Sequence, residues 1–179
     1  FGGWETSSLA VFQGGLAYTI FTSAAFQPVW NNPNCGPGIA GCQVVGNTGG
    51  DYNADGNNYD LPMRPSISLD KSYERSDYLK GLFPASDFPA PPLGEEGNVG
   101  RGTVRGPGFA QVDFSLLKNF KTPWFWGEGA KFQFRAEFYN VFNRVNLNNF
   151  DGDIASGTFA TATGVFTPRS IQLGARLEF

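Results

Sequence analysis

The sequence predicts an all-β chain whose antiparallel strands form the wall of a transmembrane β-barrel, with long loops between them. Three observations carry this. The last ten residues and two upstream segments alternate apolar and polar side chains with a period of two, the signature of a strand with two unlike faces. Aromatic residues make up 16% of the 179, with 18 Phe, and charged residues reach only 16%. The 24 Gly and 12 Pro interrupt the chain too often for long helices. No apolar run approaches the roughly 20 residues of a membrane helix, whereas a barrel strand crosses with about 9–11 alternating residues.

Taken in order, Trp4–Phe12 and Leu16–Phe21 read as a hairpin over 1–21, joined at Gln13-Gly14-Gly15. Their alternation is weak, and Trp4–Phe12 could present either side. Residues 22–108 follow as a very long connection. A structureless loop of that length does not suit an ordinary compact domain, and it reads here as an extracellular loop. In Phe109–Phe120, Ala110, Val112, Phe114 and Leu116 alternate with Gln111, Asp113 and Ser115. In Lys131–Phe142, Phe132, Phe134, Ala136 and Phe138 alternate with Lys131, Gln133, Arg135 and Glu137. These two segments make a second hairpin over 109–142, with 121–130 as its short turn. Residues 143–169 form another long loop. The final strand, 170–179, sets Ile171, Leu173, Ala175, Leu177 and Phe179 against Ser170, Gln172, Gly174, Arg176 and Glu178.

The connections therefore alternate long and short, as in outer-membrane barrels with short periplasmic turns and long extracellular loops. Phe12, Phe120, Trp124, Trp126 and Phe179 are expected at the short-turn rim, as an aromatic girdle. The charges on the polar faces, Asp113, Lys131, Arg135, Glu137, Arg176 and Glu178, read as lumen residues pairing across neighbouring strands.

Composition excludes some chemistry. A formal charge of −3 argues against a nucleic-acid partner, and the absence of His excludes His-based triads and His metal sites. No nucleophile elbow or acid–base pair stands out, and the expectation is that the chain is not an enzyme. Gly100–Gly106 lacks the spacing of a phosphate loop and reads as a flexible lead into Phe109. Cys35 and Cys42, with six residues between them, suit a local disulfide in an oxidising compartment, or else two free thiols. Asp51, Asn53 and Asp55 stand at positions 1, 3 and 5 of a calcium-loop spacing, with Gly56 at position 6. Asn57 and Asp60 are available to complete a Ca²⁺ shell. Pro62 stands where the bidentate Glu belongs, and an Asx turn bonding its own backbone is the alternative. Tyr18, Tyr52, Tyr59, Tyr73 and Tyr78 suit either extracellular ligand contact or loop packing.

Several stretches carry a family resemblance: DYNADGNNYDLP at 51–62, the run from Gly81 to Phe120, FRAEFYNVFNRVNLNN at 134–149 and TPRSIQLGARLEF at 167–179. The chain resembles the C-terminal part of a TonB-dependent outer-membrane receptor. It is most similar to the large branch, common in Acidobacteria, with an N-terminal carboxypeptidase-regulatory-like domain. Glu137–Asn143 resembles the family's penultimate strand. Ile171, Leu173, Ala175, Leu177 and Phe179 resemble the signal read by the outer-membrane barrel-assembly machinery. The resemblance implies a barrel of about 22 strands, with about the last five supplied here, and a plug and TonB-contacting segment elsewhere. It also implies outer-membrane lipid as surroundings and import of a large nutrient such as a siderophore, oligosaccharide or peptide. The start at Phe1, without Met or signal peptide, reads as a fragment or processed product. An alternative follows: a five-stranded piece with open edges that self-assembles into a multimer or extracellular filament.

Overall fold

The computed structural model describes residues 2–57, 59–69, 71–121 and 130–178. In chain order the elements are β1 (Trp4–Gln13), β2 (Ala17–Tyr18), β3 (Pro28–Trp30), β4 (Val44–Asn47), the one-turn helix α1 (Asp77–Lys80), β5 (Val104–Arg105), β6 (Phe109–Lys121), β7 (Lys131–Tyr139), β8 (Leu147–Phe150), β9 (Ala162–Val165) and β10 (Ser170–Glu178). They divide into two compact units. One comprises 1–14, 108–147 and 165–179, and the other 15–107 and 148–164.

The first unit is a four-stranded antiparallel sheet in the order β1-β6-β7-β10. Its strands run to 10, 13, 9 and 9 residues, long enough to cross a bilayer. The three connections within it are 14–108, 122–130 and 140–169. The sheet is an open single layer: every residue of β1 and nearly every residue of β10 is exposed, on both faces. Phe12, Ile171 and Leu173, and Leu9 on the opposite face, are all more than half exposed. In water so much exposed apolar side chain would be a liability.

The expected hairpin over 1–21 is corrected. β1 pairs with β6 along its whole length, from Trp4 opposite Lys118 to Gln13 opposite Phe109. Ala17 and Tyr18 pair instead with Arg105 and Val104. The reason lies in Gly15. A Cβ there would collide with the backbone oxygen of Gly106, and a Cβ on Gly106 would collide with the Tyr18 ring. These glycines permit close approach between two distant segments rather than a tight turn. Phe12 consequently moves to the other end of the sheet. It lies opposite Ala110, at the long-connection end, while Trp4 and Phe120 mark the short-turn end. Trp124, Trp126 and Phe179 lie outside the described residues.

The second unit turns much of the expected loops into folded structure. β3 and β4 form a small hairpin, and Cys35 and Cys42 are joined by a disulfide beyond its end, with Cα atoms 5.4 Å apart. Ile20, Leu69, Val99, Val104 and Ala160 are almost fully buried. A file of aromatic rings runs Tyr18, Phe150, Tyr78, Tyr73, Phe83, Phe88, Phe159, with successive centroids 5.3–6.2 Å apart and mostly edge-on. Such pairs add about 0.5–1.5 kcal/mol each beyond their burial. Four of the five tyrosines considered for ligand contact are thus structural: Tyr52 and Tyr78 are buried, and Tyr18 and Tyr73 lie within the ring file. Tyr59 remains exposed, packed against Phe21.

Tyr78 holds the glycine contact in place. Its hydroxyl donates to the carbonyls of Arg105 and Gly106, at 2.9 and 3.0 Å. Burial, then the nearby Tyr73 and Asp77, push its phenol above the ordinary value of 10.0. Burial also raises Tyr52 and Tyr73. A raised folded-state value stabilises the unit fully below the unfolded pKa and ceases to do so as pH climbs through the folded one. Amide exchange in this unit is therefore expected to accelerate selectively above pH ~10. Tyr78→Phe, which leaves both carbonyls without that donor, is expected to cost about 1–2 kcal/mol of local protection at neutral pH. Unchanged exchange at the Gly106 amide in the variant would contradict this.

Candidate functional site

The sheet's two faces follow from its register. Residues directly opposite one another share a face, and the pairings keep parity across all four strands. Phe114 opposes Phe138, which opposes Ile171; Leu116 opposes Ala136, which opposes Leu173; Phe120 opposes Phe132, which opposes Leu177. β1 adds Trp4, Ala10 and Phe12 to this apolar side, resolving which way it faces, and places Leu9 and Val11 on the polar side. Of the residues resembling an assembly signal, Ile171, Leu173, Ala175 and Leu177 share the apolar face. From Ala110 to Phe120 is ten steps along β6, about 34 Å of strand, or a band about 25 Å tall at a barrel's usual tilt.

Among the described residues, one cation sits on that face. Lys118 lies level with Trp4, Phe134 and Ala175. Its ammonium stacks 4.6 Å from the centre of the Trp4 ring and 5.4 Å from that of Phe120, and donates to the Gly2 carbonyl at 2.7 Å. The long stem covers apolar surface while the charge reaches the short-turn rim.

The polar face carries Asp113, Arg135, Glu137, Arg176 and Glu178, together with Lys131. The expected pairing across strands is corrected. Arg135 pairs with Glu137, and Arg176 with Glu178 at 2.8 Å, in each case two residues along the same strand. Arg135 faces Leu117 and Gly174 across the sheet, and Arg176 faces Gln133, so no acid stands directly opposite either. Two residues along a strand is one step on the same face, which an Arg spans easily. Asp113 takes a different role, accepting from the Asn140 amide and from Gln111 Nε2, both at 2.8 Å. Neutral amides make the cross-strand links: Gln133 donates to Asn119, which donates to Glu5.

Two buried asparagines, not singled out in the sequence, shape the end of β7. Asn140 has a left-handed backbone, φ 52°, and ends the strand. Its side chain bonds the Arg144 amide and carbonyl, each at 2.9 Å. Asn146 bonds both the amide and carbonyl of Ala110, imitating a neighbouring strand. Asn and Asp are the side chains that tolerate this backbone and bond locally. The spacing of Asn140, Asn143 and Asn146 was the available signal.

In the folded-loop unit the structure brings three of the five proposed calcium ligands together. Asp51, Asp55 and Asp60 each present a carboxylate oxygen within 4.8 Å of the others, and Asp51 and Asp60 are buried. Asp51 accepts from the amides of Asp55 and Gly56, and Asp60 from those of Tyr52 and Asn53. Asn53 bonds Asp55 through its side chain, and Asn57 enters through its backbone amide. The pattern is that of nested Asx turns, with oxygen chemistry suited to a hard cation such as Ca²⁺. A second acidic turn, absent from the sequence reading, uses Asp151 and Asp153. Burial pushes the Asp151 carboxyl up, but bonds from Ser156, Thr158 and the Asp153 amide outweigh this and hold it below the ordinary carboxylate value. Asp153 accepts from Ser23 and Ala155.

Asp60→Ala leaves two inward-facing amides without their acceptor and is expected to lower local stability by about 2 kcal/mol. Asp60→Asn keeps an oxygen in place and is expected to cost less than half as much. Hydrogen exchange at Tyr52 and Asn53 reads both, and equal behaviour of the two variants would discard the acceptor role.

The profile of one protein family, described as an outer membrane beta barrel domain, matches residues 1–172. No curated protein and no solved structure matches the chain.

Proposed function

The chain belongs to the outer membrane beta barrel domain family, and on that premise we propose that it forms part of the wall of a TonB-dependent receptor. In this reading the apolar face meets outer-membrane lipid, and the polar face lines a wet lumen. The folded unit within 15–107 and 148–164 stands on the extracellular side, where it meets a large nutrient: a siderophore, oligosaccharide or peptide. The chain is a passive wall rather than an enzyme. Energy arrives through a TonB system, and folding into the membrane through the barrel-assembly machinery. The observation that carries the membrane reading is the four-strand parity, a single layer with one apolar face and one ionic face. The receptor identity rests on the sequence resemblance at 81–120, 134–149 and 167–179.

A second reading draws on the terminal positions of β1 and β10 in the strand order. In a complete barrel these edges meet further strands. Unpaired, they would template addition of another copy, giving a multimer or extracellular filament.

Uptake tests the first reading. Cells carrying the full-length protein are expected to accumulate a labelled ligand that deletion strains do not, and a protonophore is expected to abolish the difference. Accumulation indifferent to the protonophore would remove the energised receptor. Electron microscopy separates the readings: detergent-bound particles support the barrel, and long polymers support the filament.

The wall itself predicts an asymmetry between neighbours. Leu173 lies at mid-height on the apolar face, and Gln172 on the polar face. Leu173→Arg is expected to destabilise the barrel by about 2–4 kcal/mol, and Gln172→Arg by less than about 1 kcal/mol. Denaturant unfolding in lipid vesicles measures both. Similar costs would mean that the two faces meet the same solvent.

A further inference from the structure

We infer that the long-connection end of the sheet carries a phosphorylated-lipid site, in which an acyl chain lies between Phe12 and Phe142 and the phosphate rests on Arg144. The inference rests on the membrane-wall reading and names one component of the surrounding leaflet that this surface selects.

A groove of about 400 Å³ opens there, lined by Phe12, Ala110, Val112 and Phe142 on its apolar side and by Gln111, Asn140 and Arg144 on its polar side. Phe12 and Phe142 are 76% and 77% exposed, more than any other large apolar residue among those described. Their separation has a cause in the chain. Asn140 turns the backbone out of β7, and the Asn146 side chain takes the position beside Ala110 that a further strand residue would fill. Ala110 adds almost no bulk, so a channel remains between the rings.

Arg144 supplies the polar end. Its backbone is held on both sides by the Asn140 side chain. Its exposed guanidinium has no partner among the described residues, and no acid lines the groove. A guanidinium on a short, fixed turn presents paired donors matched to phosphate oxygens. The apolar walls leave a headless fatty acid or a free anion with half the site unused. Phe12 and Ala110 end the apolar face at this side of the sheet, which is the height at which acyl chains meet headgroups in the proposed orientation.

The experiment uses the full-length protein extracted from outer membranes and stripped of lipid in neutral detergent. The probes are a bisphosphorylated glucosamine-based lipid and its dephosphorylated form, with retention counted by native mass spectrometry. Wild-type protein is expected to retain the phosphorylated probe about tenfold better than Arg144→Gln, the size of a lost charged hydrogen-bond pair. Ala110→Leu, which fills the groove while keeping the charge, is expected to lose retention similarly, and Arg144→Lys to recover part of it. The dephosphorylated probe is expected to bind wild type and Arg144→Gln alike. Each variant's fold is checked by its resistance to unfolding on unheated gels. Equal retention of the phosphorylated probe by folded wild type, Arg144→Gln and Ala110→Leu would overturn the site alone. A protein that washes from membranes without detergent would overturn the membrane wall and the site together.

Discussion

Everything in the sheet depends on the hydrogen-bonded register between its strands. The side-chain period of a strand is two, so slipping one pairing by a single residue would invert that strand's faces. Three pairings, β1 with β6, β6 with β7 and β7 with β10, all preserve the same parity. Weakly patterned β1 is oriented by this constraint, because its own Thr6, Ser7 and Ser8 carry little preference. The strongly patterned strands impose a side on it through ten consecutive backbone partners.

The strands most legible in the sequence were those whose alternation has high contrast. Phe and Leu against Arg, Glu and Gln leave one solution for β7 and β10, and their observed bounds fall close to the expected ones. The pairing of β1 was illegible, since nothing local records that its partner begins only after 95 intervening residues. Gln13-Gly14-Gly15 offers an attractive turn, but the absence of a Cβ at Gly15 serves contact with Gly106. Glycine says only that space is short or the backbone unusual, not which of these applies.

The acidic loop was half legible. Spacing suggested a shell of Asp51, Asn53, Asp55, Asn57 and Asp60, and of these the carboxylates of Asp51, Asp55 and Asp60 converge. What spacing could not convey is that backbone amides satisfy these carboxylates within the loop. The tyrosines show the same limit. A Tyr suits a binding surface or a small core, and the choice depends on long-range neighbours such as Phe150 and Phe159. With few aliphatic residues in the folded loops, rings in edge contact do the work that Leu and Ile do elsewhere.

The ionic pairs on the polar face are self-contained. Because Arg135 and Arg176 each find their acid on their own strand, neither needs an adjacent strand to be present first. Both pairs are open to solvent, the Glu137 side less so, and contribute little to the finished sheet, yet each travels with its counter-ion already in place. In a growing wall these two arginines therefore wait on no acid from a neighbouring strand. For them, order of arrival is decoupled from charge neutrality, a freedom that cross-strand ion pairs would remove.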